Sequence, residues 1–222
     1  MSKRYKSVVA ILETAASVGA AILVLPELTI DDTVLGKIQT WLQYNEHEMQ
    51  LVAAGSFYTE RKTNKKVEFF NTGWLLSARG DILIAHDKLQ PMRHQDGSDE
   101  GIQAGHALQL LRTERGLVAF AICLDFCEKS TRPVGSLWGE VGPALVLVPS
   151  MGEEQTNKDH LKRARELWDQ HGTWVLVASQ QEDGKSAVGI AYGKFPDNPA
   201  NLRVKKQAPH LCVQIFLVDI PE

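Results

Sequence analysis

A carboxylate, an ammonium and a thiol each stand just beyond an apolar run of this chain. Glu27 follows residues 21–25, Lys88 follows residues 82–85, and Cys123 follows residues 117–122. The three types complement one another. A thiol is a weak nucleophile until it loses its proton. A carboxylate can take that proton, and a nearby ammonium favours the thiolate and can stabilise an oxyanion. Taken singly, each also has a plainer reading: a solvated acid after Pro26, a surface lysine, a core thiol. What joins them is position, because ligands of α/β folds gather where strands end at their C-termini.

The elements that must position them follow from periodicity. Residues 7–18 carry Val8, Ile11, Leu12, Ala15 and Ala16 on one helical face, with Gly19 at the C-terminal end. Residues 21–25 are a buried strand. A second helix is expected between Asp32 and Met49, where Leu35, Ile38, Trp41 and Leu42 share a face. Strands are expected over 51–58, 69–76 and 82–85, with a polar loop over 59–67 and a turn at Ser77-Ala78-Arg79-Gly80-Asp81. Residues 90–105 form a long polar loop, a length that in a compact domain usually carries function. A hairpin joins 108–111 to 117–122. A strand over 144–148 ends at Pro149, a helix spans 157–171, and strands cover 174–178, 187–192 and 211–218. Continuous apolar strands between helices point to sheets covered by helices. No linker divides the chain, so residues 1–222 are expected to form one domain.

Composition excludes several classes. At 44% hydrophobic and 23% charged residues, the chain can bury a sizeable core. A net charge of −3 without a massed basic segment argues against nucleic acid. No apolar stretch reaches the roughly 18 residues that span a membrane. Three cysteines give no disulfide framework, which points to a reducing compartment, the cytoplasm. Cys123 and Cys127 lack the second pair or histidine cluster of a zinc site, so no metal and no cofactor are expected.

The local strings are more specific than the spacing. Leu25-Pro26-Glu27-Leu28, His86-Asp87-Lys88-Leu89 and Ala121-Ile122-Cys123-Leu124-Asp125 occur in that order. Together they resemble the Glu–Lys–Cys motifs of the nitrilase, or carbon–nitrogen hydrolase, superfamily. Asn71-Thr72-Gly73 with Arg79-Gly80-Asp81 is similar to the strand-turn-strand leading to the family lysine. Asp99-Glu100-Gly101 with Gly105 resembles the segment carrying a second active-site glutamate. Residues 144–150, Arg163-Ala164-Arg165-Glu166 before residues 174–179, and the closing Phe216-Leu217-Val218-Asp219-Ile220 resemble later family segments. The chain also departs from the pattern. It opens on the first helix where members usually begin with a strand, so the edge strand is expected to be missing or supplied by another chain. Leu124 stands where an aromatic residue is common, the Phe-Pro before Glu128 is lacking, and Ser179 replaces an asparagine.

The resemblance implies a four-layer α-β-β-α sandwich of the nitrilase type and hydrolysis of a small non-peptide amide through a cysteine thioester. Cys123 would be the nucleophile and Glu27 the base, with Lys88 and the Leu124 backbone N–H stabilising the oxyanion. Glu100 would position Lys88 or the substrate, Ser150 and Met151 would line the pocket, and His94 would reach substrate from the polar loop. His86 would pack beside its strand. A homodimer or larger assembly is implied. The rival reading is a weak or inactive nitrilase-like domain serving binding and assembly. Acyl transfer to an amine is a third.

Overall fold

Helix α1 (Lys3–Ser17) turns Val8, Leu12 and Ala15 inward and stops at Gly19. Helix α2 (Asp32–Tyr44) begins where the Asp31 side chain accepts from Val34 N, so one otherwise unpaired N-terminal donor is satisfied. Both helices pack on one face of the first sheet. In the computed structural model, residues 3–62, 66–93, 97–127, 134–152, 154–180, 187–192, 202–203 and 215–216 are described.

The first sheet has the order β1-β2-β3-β4. β1 (Ile22–Val24) runs parallel to β2 (Leu51–Lys62), and β3 (Val67–Ser77) and β4 (Ile82–Asp87) follow antiparallel. The second sheet has the order β5-β6-β7-β8-β9: β5 (Gln109–Thr113), β6 (Gly116–Phe120), β7 (Leu145–Met151), β8 (Trp174–Gln180) and β9 (Ala187–Tyr192). Its centre, β6-β7-β8, is parallel, and β5 and β9 are antiparallel edges among the described residues. Helices α3 (Leu124–Cys127), α4 (Val134–Val141) and α5 (Glu154–His171) belong to this half. A short antiparallel pair joins β10 (Leu202–Arg203) to β11 (Ile215–Phe216).

Strand alternation divides the core into three interfaces. Val52, Ala54, Trp74 and Leu76 face α1 and α2, while Ala53 and Leu75 face the second sheet. Val118, Phe120, Leu145 and Leu147 meet them there. The intervening Ala119, Val146, Val148, Val175 and Val177 turn outward onto Phe126, Trp138, Ala164 and Leu167. Helices, sheet, sheet, helices is the expected four-layer order.

Two expectations are corrected in detail. β2 runs to Lys62, past the expected loop start, because its polar end pairs residue by residue with β3 as far as Lys62 opposite Val67. β7 does not stop at Pro149 but continues to Met151. The Pro149 carbonyl accepts from Cys123 N, so its missing N–H lies on the same side, beyond the end of β6, where the ladder needs no donor. Helix α4 was not expected from periodicity. Of the strand expected over 211–218, Ile215–Phe216 is described and the remainder lies outside the described residues.

Candidate active site

Glu27, Lys88 and Cys123 lie beyond the C-terminal ends of β1, β4 and β6, and these ends face one another across the two sheets. All three are buried: 2%, 2% and 3% exposed. Lys88 Nζ donates to Glu27 Oε1 at 2.9 Å and to Glu100 Oε2 at 2.8 Å. Met151 at the end of β7 ties Glu27 to the thiol. Its N–H donates to Glu27 Oε2 at 3.0 Å, and its carbonyl accepts from Cys123 Sγ at 3.5 Å. The backbone repeats the link, with Glu27 N donating to Ser150 O at 3.2 Å.

Local backbone shape presents both key groups. Cys123 has φ 47°, and Leu28, directly after Glu27, has φ 55°; they are the two non-glycine residues with positive φ among the described residues. Such conformations persist where the surroundings over-determine them. Leu28 N donates to Ser56 Oγ at 3.1 Å, and Cys123 N to Pro149 O at 2.9 Å. Gly55, at a β2 irregularity with φ 82°, lets the Pro26-Glu27 turn close in, since a Cβ there would lie 2.5 Å from Pro26 O.

Asp125 locks the Cys123 turn to the Lys88 segment. Its Oδ1 accepts from Leu89 N and Gln90 N at 2.9 and 2.8 Å. Its Oδ2 accepts from Ile122 N at 3.3 Å and lies 3.0 Å from His86 Nε2. On the far face of β3, Thr72 Oγ1 donates to Asp87 Oδ1 at 2.8 Å, and Arg61 forks onto the same carboxylate at 2.8 and 2.7 Å.

Burial raises the Glu27 pKa above its ordinary value against the pull of Lys88. Burial and then Glu27 push the Cys123 thiol up to about 12, against Lys88, Ser150 and Met151. Burial works against the Lys88 ammonium, but Glu27, Cys123 and Glu100 outweigh it and hold its pKa above the usual lysine value. The resting arrangement is therefore a neutral thiol beside a carboxylate of raised basicity and a fixed cation.

Of the other expected residues, Glu100 joins the cluster, Met151 contributes backbone, and Leu124 packs between the sheets. The buried Ser150 hydroxyl lacks a hydrogen bond of good geometry, yet it lies close enough to Cys123 to favour the thiolate. His94 lies outside the described residues. His86 is buried against Phe120 and Asp125, as expected of a packing residue. Sequence reasoning assigned no role to Asn71, Asp125 or His160. Asn71 Nδ2 donates to both Glu27 and Glu100. His160 stacks on Phe126 behind the Cys123 turn, its pKa lowered by burial. The polar pair Asn71-Thr72 between Phe70 and Gly73-Trp74 of a strand was the available signal for Asn71. Among the described residues no group of histidine, cysteine and carboxylate side chains could hold a metal ion, and no helix is long and apolar enough to cross a membrane.

No protein-family model and no curated protein sequence matches the chain. Solved structures do. An amidase from Nesterenkonia sp. superposes with a TM-score of 0.62 at 15% identity, over 85% of this chain and 76% of that one. A cysteine-to-alanine mutant of the Nesterenkonia AN1 amidase, described as from the nitrilase superfamily, gives 0.60 at 16% over 85% and 78%. The chain has the nitrilase fold. A further mutant of that amidase, with the acetamide moiety of fluoroacetamide added covalently at its active-site cysteine, gives 0.60 at 16% over 85% and 77%. Within the nitrilase fold, this chain's thiol, carboxylate and ammonium converge at strand ends contributed by both sheets.

Proposed function

We propose that the chain is an amidase-type hydrolase of small amides, with Cys123 as nucleophile, Glu27 as base and Lys88 as oxyanion stabiliser. The observation that carries this reading is the Met151 backbone, whose N–H donates to the Glu27 carboxylate and whose carbonyl accepts from the Cys123 thiol. This shared contact supports reading Cys123 as proton donor and Glu27 as acceptor. The Nesterenkonia amidases, with their active-site cysteine, lend the reaction class.

Glu27 takes the Cys123 proton as sulfur attacks the amide carbon, so free thiolate need not accumulate despite its high pKa. The carbonyl oxygen gains charge beside the Lys88 ammonium and the Leu124 N–H. Glu27 then protonates the leaving nitrogen, the carbon–nitrogen bond breaks, and a thioester remains. Glu27 next takes a proton from water, the resulting hydroxide attacks the thioester, and the carboxylic acid departs as the thiol regains its proton. Glu100 braces Lys88 throughout.

A panel of small aliphatic and aromatic amides, assayed for ammonia release with and without Cys123→Ala, tests the reading. Ammonia from wild type alone supports it. Equal release from both proteins, or none from either, sinks it in favour of a domain kept for binding and assembly.

A further inference from the structure

Asn71 lies wholly buried in the middle of β3. Its side-chain amide donates to Glu27 Oε1 at 2.8 Å and to Glu100 Oε1 at 3.1 Å. Lys88 bridges the same two carboxylates at 2.9 and 2.8 Å. The four side chains form a closed ring: Glu27, Lys88, Glu100, Asn71. Two carboxylates in this ring share one cation. Like charges held this close favour protonation of one of them. An amide with two hydrogens, one directed at each carboxylate, opposes that without adding charge.

We propose that Asn71 is a positioning residue of this site: by donating to both glutamates it holds Glu27 available as proton acceptor for Cys123 while Glu100 braces Lys88. The inference rests on the triad reading above. Three details distinguish it from packing. Asn71 Oδ1 is buried without a partner, so the amide satisfies the carboxylates and leaves its own carbonyl unpaired. The reversed amide orientation is excluded, because it would set Oδ1 against two carboxylate oxygens. The Asn71 backbone carbonyl also accepts from Lys88 N at 2.9 Å, so one residue holds both the lysine's main chain and its side-chain partners.

The test is the pH profile of iodoacetamide alkylation at Cys123, read by peptide mass spectrometry, which needs no substrate. In wild type the rate rises along an acid limb set by Glu27. In Asn71→Leu that limb moves up by about one pH unit, a roughly tenfold slower reaction at a fixed pH on the limb. Adding Glu100→Gln removes the competing carboxylate and returns the limb towards wild type, a rescue that a packing defect would not give. An unmoved limb in a folded Asn71→Leu protein, or no rescue in the double variant, overturns the proposal. Should Asn71→Leu not fold, Asn71→Ser keeps one donor and must shift the limb in the same direction by less; no shift overturns the proposal equally. If wild-type Cys123 reacts no faster than Cys127, the triad reading itself has failed, whatever the Asn71 variants do.

Discussion

The two sheets bring unlike halves to the buried cluster. The first contributes Glu27, Lys88 and Asn71, whose charged and N–H groups interlock with Glu100 in a ring of hydrogen bonds between 2.8 and 3.1 Å. The second contributes Cys123 on a left-handed turn, with the buried hydroxyls of Ser150 and Ser179 lacking partners at adjoining strand positions. In the first half the charged groups are all paired, while the Asn71 carbonyl oxygen is not. Both halves hold backbone strain, at Leu28 beside Glu27 and at Cys123, and the unpaired hydroxyls lie on the second. The charged ring and the thiol are thus on different sheets, and Met151 and Asp125 are the ties between them.

The largest effect expected from breaking this division is at the thiol. Cys123→Ala should lower ammonia release by at least about 10³-fold while leaving the thermal midpoint near wild type, because the nucleophile acts as one unit with its base. Glu27→Gln keeps the shape but removes the proton acceptor, and should lower kcat by about 10²–10⁴-fold. A smaller loss from Glu27→Gln than from deleting a surface acid would show that the first sheet does not supply the base.

Asp125 tests the tie between the halves. Asp125→Ala strands three backbone donors, at Leu89, Gln90 and Ile122, where each unsatisfied buried group costs about 1–3 kcal/mol. Urea unfolding should show a loss of at least about 3 kcal/mol. A loss below about 1 kcal/mol would mean that the sheets are not coupled through this carboxylate.

Glu27 should also leave a mark on stability. Its folded pKa is raised above 4.5, so the unfolded carboxyl gives up its proton first as pH climbs. The folded state holds the extra proton within that window, and stability falls from pH 4.5 up through the raised value. Glu27→Gln has no proton to lose there. Its stability relative to wild type should therefore increase above pH 4.5 and then level off, as unfolding midpoints across pH would report. A flat difference would contradict the burial effect. The smallest change belongs to the outer face of the first sheet. Arg61→Ala breaks a half-exposed fork with Asp87 and should cost under about 1 kcal/mol. A larger loss would show that the Asp87 brace, next to Lys88, matters more than its exposure suggests.

What the sequence disclosed and what it hid have physical causes. Apolar runs that stop abruptly at Glu27, Lys88 and Cys123 made the strand ends legible, and the three cores follow from simple alternation. The continuation of β7 through Pro149 was hidden, because proline signals an end unless its missing donor faces a strand that has already finished. The polar extension of β2 to Lys62 was hidden for a similar reason: cross-strand pairing, not hydrophobicity, sustains it. Asn71 and Asp125 owe their roles to partners 44 and 36 residues away, and no local pattern encodes such distant pairings.

The central claim is that Glu27 on one sheet activates Cys123 on the other. Site-resolved mass spectrometry of acrylamide adducts, in wild type and Glu27→Gln at neutral pH, tests it most directly. The account predicts that Cys123, though almost fully buried, is labelled faster than Cys127 and Cys212, and that Glu27→Gln removes this advantage. Equal labelling of all three thiols, or a Cys123 rate indifferent to Glu27→Gln, would contradict it.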